Sequence, residues 1–163
     1  MSLILDSKRF LVIGSNSFSG SHFVKGLLDN GSKVWGISRS KEPKKVFLPY
    51  YWVDQESYKY KEKCDNFFFR SLDLNKDLKE IINLIDEVEP QYIVNFASQG
   101  MVAESWKEPV HWYNTNIVSQ VALHDELRKR KFLKKYVHVT TPEVYGSTDK
   151  GWIKECFNFS PST

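Results

Sequence analysis

The chain is short of the features that mark several protein classes. It has only 2 cysteines in 163 residues. Cys64 and Cys156 stand too far apart for a metal-ligand pair, so reduced thiols in a cytoplasmic protein are expected. No apolar run approaches the roughly 18 residues that a membrane span requires, and no signal peptide is visible. Neither a membrane nor a secretory setting is therefore expected. Charge of one sign is also scarce, with a net charge of +3. The one basic run, residues 128–135, closes a helical pattern, where cations complement the helix dipole. That predicts a solvated helix end, not a nucleic-acid surface. Two phosphate-binding signatures are missing as well. There is no G-x-G-x-x-G, and no Lys-Ser/Thr pair follows Gly20.

What the sequence does have is alternation. Residues 10–13 form a short apolar run that ends at Gly14. A helix is expected over residues 19–30, with Phe23/Leu27 and Val24/Leu28 stacked one turn apart and Gly31 as its stop. Further strands are expected at 33–38, 67–70, 92–97 and 136–140. Leu78, Ile81, Ile82, Ile85 and Val88 stripe a helix that Pro90 closes. A long helix over 109–131 is expected to turn Val110, Tyr113, Ile117 and Val121 inward. Five short strands, four of them separated by helices, predict an α/β fold: a doubly wound, Rossmann-like parallel sheet. The stretch 41–66, rich in Lys, Tyr and Pro, is too long for an ordinary connection. It predicts a surface excursion over the cofactor edge or partial disorder.

The chemistry begins at "GSNSFSG", residues 14–20. After the first strand the chain must turn into a helix whose free N–H groups and dipole favour a pyrophosphate. Gly14 permits the turn and Gly20 allows close packing. Ser17 stands between them, three residues from each, with a backbone N–H and a hydroxyl as possible donors. The second strand ends in Ser38, Arg39, Ser40 and Lys41, with no acid before Glu42. A ribose 2′-hydroxyl usually meets an acid there, whereas a 2′-phosphate wants a cation. Arg39 can fork onto that phosphate with both serines donating, which leans to NADP over NAD; otherwise it is a solvated arginine in a turn. Asp73 is placed to accept from an adenine amino group or to cap the next helix, a task Asn75 can also serve.

"VIGSNSFSGSHFVKGLL", "SLDL", "PQYIVNFASQGMVAESWKEPVHWYNTNIVSQVALHDELRK" and "KYVHVTTPEVYGS" occur in the order and spacing of a known family. Together they resemble the extended short-chain dehydrogenase/reductases, in the nucleotide-sugar epimerase and 4,6-dehydratase branch, over roughly residues 8 to 162. The resemblance implies a three-spaced pyrophosphate loop, in which Ser17 departs from the usual glycine. It implies an NADP or NAD site made by Gly14, Ser17, Phe18, Ser19, Gly20, Ser38, Arg39, Ser40, Asp73, Leu74, Phe96, Ala97, Ser98 and Thr140. Ser98, Gln99, Thr141 and Glu143 would face a nucleotide-sugar substrate. Gly100 and Met101 replace a Ser-His pair common in relatives. Asn116 matches an asparagine that supports the active site.

In "TTPEVYG" the resemblance gives Thr141 the sugar 4-hydroxyl and Glu143 the C5 proton, as general acid/base. Pro142 stands where some dehydratases have an aspartate. The family's tyrosine, with a lysine four residues later, is expected about two dozen residues after Thr141. Tyr145 does not replace it, because Asp149 stands four beyond. Residues 1–163 are thus expected to be an incomplete NAD(P)-binding domain lacking the last strands and the substrate domain, inactive alone. A non-catalytic dinucleotide-binding or protein-interaction module is the alternative. A homodimer through the helix near 109–131 is also implied.

Overall fold

Strand β1 (Arg9–Ile13) buries four consecutive residues, Phe10, Leu11, Val12 and Ile13. Such a run suits a strand covered on both faces. The computed structural model, which describes residues 8–52, 65–147 and 151–161, shows those two faces. Phe10 and Val12 pack with Val24, Leu27 and Leu28 of helix α1 (Phe18–Asp29), and with Leu48 and Tyr50. Leu11 and Ile13 pack on the other side with Ile81, Leu84 and Ile85 of α2 (Leu78–Val88), and with Leu123 and Leu127 of α5 (Ser119–Leu127). Between them α3 (Val102–Ser105) and α4 (Pro109–Tyr113) are short.

The remaining strands are β2 (Lys33–Ser38), β3 (Phe67–Ser71), β4 (Tyr92–Asn95) and β5 (Lys135–His138). All pair in parallel, in the order β3-β2-β1-β4-β5. The doubly wound sheet expected from the sequence is present, with β4 and β5 each two residues shorter at their C-terminal ends than expected. Helix α1 starts one residue early because Ser17 caps it, and Asn30 and the left-handed Gly31 (φ 75°) end it. The basic run behaves as a helix end. Arg128 pairs with Asp125, Lys129 with Glu126, and Arg130 with Asp86.

The helix expected over 109–131 is corrected in two respects. It is interrupted by a π-helical turn, Asn114–Val118, and the apolar stripe faces outward. Val110, Tyr113, Ile117 and Val121 are 70%, 63%, 49% and 62% exposed. The buried face is Thr115, Gln120, Leu123 and Leu127. The polar members can go inside because each finds a partner there: Thr115 meets Asn75, and Gln120 meets Asn95.

Residues 41–52 lie against α1. Two 3-10 turns, Lys45–Phe47 and Pro49–Tyr51, bury Leu48 and Tyr50, and the Tyr50 hydroxyl donates to Glu42 at 2.7 Å. Burial and that carboxylate push the Tyr50 phenol far up. Residues 53–64, including Cys64, lie outside the described residues; Cys156 is an exposed free thiol. No helix among the described residues is long and apolar enough to cross a membrane.

Candidate functional site

The strand order reverses between β1 and β4, which opens a crevice at their carboxyl ends. Gly14 ends β1 with φ 81°, in the left-handed region, and a Cβ there would stand 2.9 Å from the Ala97 nitrogen. Only glycine suits both conditions. A Cβ on Gly20 would strike the Gly14 carbonyl and lie 2.8 Å from Ser17 Oγ. The first turn of α1 therefore closes onto the loop, with no room for a side chain.

Ser17 corrects one expectation. Its N–H donates to the Gly14 carbonyl at 3.0 Å, and its hydroxyl donates to the same oxygen at 2.8 Å while accepting the Gly20 N–H at 3.0 Å. Both donors expected to face a phosphate are turned back into the loop, because a serine before a helix caps it. The N–H groups of Phe18 and Ser19 have no acceptor among the described residues. They carry the anion-attracting end of the helix.

Asn16, not singled out from the sequence, joins the loop to the tail of β2. Its N–H donates to Ser38 Oγ at 3.0 Å and its Nδ2 to the Ser40 carbonyl at 3.2 Å. Its Oδ1 is buried with no protein partner among the described residues. Arg39 is exposed at this rim, and Ser71 Oγ donates to its carbonyl. Asp73 accepts the Asn75 N–H at 2.9 Å in a tight turn. Neither Asp73 nor Asn75 caps α2; Asp77 holds that position, but its carboxylate accepts the Asp73 N–H at 2.8 Å and makes no capping bond to the helix. Asn75 instead donates to Thr115 and accepts from Ser119.

On the β4 side, Asn95 is fully buried. Its Nδ2 donates to Gln120 at 2.7 Å and to the Tyr136 hydroxyl at 2.9 Å, and its Oδ1 accepts the Ala97 N–H at 2.8 Å. Burial raises the Tyr136 phenol, partly offset by that bond from Asn95. One residue thus shapes the turn that meets Gly14. Farther along, Asn116 Oδ1 accepts the Gln99 N–H at 2.8 Å, and its Nδ2 donates to the Gln99 carbonyl at 2.9 Å. Thr141 caps a 3-10 turn, Pro142–Tyr145, by accepting the Glu143 N–H at 3.3 Å.

Two cavities result. The first, about 280 Å³, is lined by Gly14, Ser17, Ser38, Arg39, Ser40, Asp73, Leu74, Phe96, Ala97, Ser98 and Gln99, and by Asn16. The second, about 630 Å³, is lined by Ser17, Phe18, Ser19, Phe96, Ala97, Ser98, Gln99, Asn116, Thr140, Thr141 and Glu143, with His138. Every residue expected at the site lines one or both, except Gly20, which lies beneath. Burial and the nearby His124 hold the His138 imidazolium below the usual histidine range. A separate cavity of about 410 Å³, between Arg128 and Lys135, contains none of the expected residues.

The sequence pattern of the GDP-mannose 4,6 dehydratase family matches residues 11–163. The chain belongs to this family. That bears out the extended dehydrogenase/reductase resemblance, nucleotide-sugar epimerase/dehydratase branch. A GDP-mannose 4,6-dehydratase of Yersinia enterocolitica is 26% identical over 156 residues, covering 94% of this chain and 41% of that protein. A UDP-N-acetylglucosamine 4-epimerase from Methanobrevibacter ruminantium, solved in complex with UDP-N-acetylmuramic acid, superposes with a TM-score of 0.72 at 25% identity. That match covers 97% of this chain and 46% of the other. A UDP-glucose 4-epimerase from Brucella ovis, in complex with NAD, shares the fold with a TM-score of 0.73 at 20% identity, covering 95% of this chain and 42% of its own. The chain spans about two fifths of the length of such curated relatives.

Proposed function

We propose that this chain is the dinucleotide-binding part of an NAD(P)-dependent nucleotide-sugar 4,6-dehydratase or epimerase. The observation that carries the reading is the pair of cavities meeting at Ala97, Ser98 and Gln99. The first holds the Gly14 turn, the β2 rim and Asp73, and the second brings Phe18 and Ser19 of the α1 N-terminus together with Thr141 and Glu143. The free N–H groups of Phe18 and Ser19 and the absent Cβ atoms of Gly14 and Gly20 suit a pyrophosphate. Arg39, with Ser38 and Ser40, suits a 2′-phosphate, so NADP is preferred to NAD. The NAD-bound neighbour supports the wider dinucleotide reading.

The dinucleotide, when bound, supplies hydride exchange at the sugar. Thr141 hydrogen-bonds the sugar 4-hydroxyl. Glu143 takes the C5 proton and returns a proton to the leaving oxygen. Asn116 keeps the Gln99 backbone in place at the boundary of the two cavities. The chain alone binds dinucleotide without turnover, since the base for the first step belongs to a Tyr-x-x-x-Lys segment it does not contain. A second copy covers the outward stripe of Tyr113, Ile117 and Val121.

Two measurements test this. Calorimetric titration should show NADP or NAD binding to the chain; binding of neither removes the reading. In the complete enzyme, Glu143→Gln should abolish dehydration while sparing the initial oxidation. Unchanged dehydration excludes Glu143 from the mechanism.

A further inference from the structure

Gln99 is common to both cavities, and its main chain is fixed at the N–H and the carbonyl by Asn116. The residues that follow, Gly100 to Ala103, carry no polar side chain. The adjustable polar groups at this junction are the Ser98 hydroxyl and the Gln99 amide, and the amide has a side-chain neighbour that can orient it. Its Nε2 lies 3.4 Å from the Nε2 of His111, on α4.

We infer that His111 is a positioning residue that fixes which end of the Gln99 amide faces the junction, so that the junction recognises a hydroxyl of the bound ligand. The inference rests on the dinucleotide and sugar reading above. An amide nitrogen carries two N–H donors and no useful lone pair. Facing it, the imidazole Nε2 must accept, and the ring proton must sit on Nδ1. The Gln99 Oε1, which has no donor among the described residues, is then the end left for the ligand. A ribose or hexose hydroxyl can donate to it; a phosphate or carbonyl oxygen cannot. With the ring proton on Nε2 the amide would reverse, and the junction would offer N–H groups instead. The tautomer of a ring that lines neither cavity thus decides the polarity of a site it does not touch.

Two experiments decide this, both on the protein carrying the complete substrate domain. Long-range ¹H–¹⁵N correlation of the neutral His111 ring, recorded without ligand, should show the Nδ1–H tautomer. An Nε2–H tautomer overturns the assignment whatever the protein binds. The second is a double-mutant cycle of His111→Phe and Gln99→Leu, read by calorimetric titration with NADP and, separately, with UDP-glucose. His111→Phe should weaken binding about fivefold where Gln99 is present, the scale of one hydrogen bond, and should have no effect beside Gln99→Leu. Coupling seen with NADP assigns the hydroxyl to the ribose, and coupling seen with UDP-glucose assigns it to the sugar. Losses that simply add for both probes overturn the proposal. Failure of wild type to bind either dinucleotide defeats the cofactor reading instead, and leaves the tautomer to judge His111.

Discussion

The Cα of Gly14 faces the backbone of Ala97 so closely that a Cβ would come within 2.9 Å of the Ala97 nitrogen. Gly14→Ala combines that overlap with a left-handed backbone. A loss of roughly 2 kcal/mol or more is expected in urea denaturation, from strain of ~1–2 kcal/mol plus displacement of the turn. Dinucleotide binding should fall with it. Unchanged stability would mean that the turn yields freely.

Ser17 allows a separation of capping from ligand binding. Ser17→Ala removes the cap and should cost about 1 kcal/mol, whereas Ser17→Gly should cost only a few tenths. The glycine variant also releases the Gly20 N–H, so its dinucleotide affinity should equal or exceed that of wild type. A glycine variant that loses affinity would show that the serine itself contacts the ligand.

Arg39 is the cation at the β2 rim. Arg39→Ala should weaken NADP binding about tenfold or more, the scale of a charge-assisted hydrogen bond, and leave NAD nearly unchanged. Parallel titrations check it. Tighter NAD binding by wild type would end the NADP preference.

His138 makes stability depend on pH. On β5 it faces the Tyr136 hydroxyl at 3.4 Å, and across from it lies the His124 ring of α5 at 6.4 Å; Glu143 shares its cavity. Its native pKa is lowered by burial first and by His124 second. The unfolded chain therefore takes up this proton before the folded one does as pH falls. The stabilising contribution is full above the ordinary histidine value of about 6.5, and declines as pH drops toward the lowered native value. The side chain is largely exposed, so the slope is shallow. Melting temperatures between about pH 5 and pH 7.5 should fall less steeply in His138→Gln than in wild type. Equal slopes would remove His138 as the source.

The outward stripe should hold two copies together. Val121→Asp, at a position 62% exposed, should shift sedimentation from dimer to monomer with little change in the chain's own unfolding. Wild type that sediments as a monomer would contradict the proposed pairing.

The stripe also shows how far the sequence could be read. Val110, Tyr113, Ile117 and Val121 repeat at helical spacing, and apolar periodicity names residues that prefer to leave water. It does not say whether this chain's own sheet covers them. Gln120 and Thr115 were invisible as interior residues for the complementary reason. Each looks polar alone, and only the distant Asn95 and Asn75 make burial acceptable. The glycine loop and the five strands were legible because β-strand runs, helix stops and positive-φ glycines are local. Asn16 and His111 were not, since their partners lie 24 and 12 residues away. Ser17 was legible as a departure from glycine, but its direction depended on a cap that only the folded loop reveals.

Asn95 has a consequence for the order in which the site is assembled. Its one amide reaches Gln120 on α5, Tyr136 on β5 and the Ala97 N–H beside Gly14. The turn that floors both cavities therefore has its full set of bonds only after the fifth strand has docked. A chain ending before β5 can still pair its first four strands, yet the amide loses Tyr136 and with it part of its fixed orientation. The crevice thus depends on the last of the five strands for one of its bonds, although the loop at its centre follows the first.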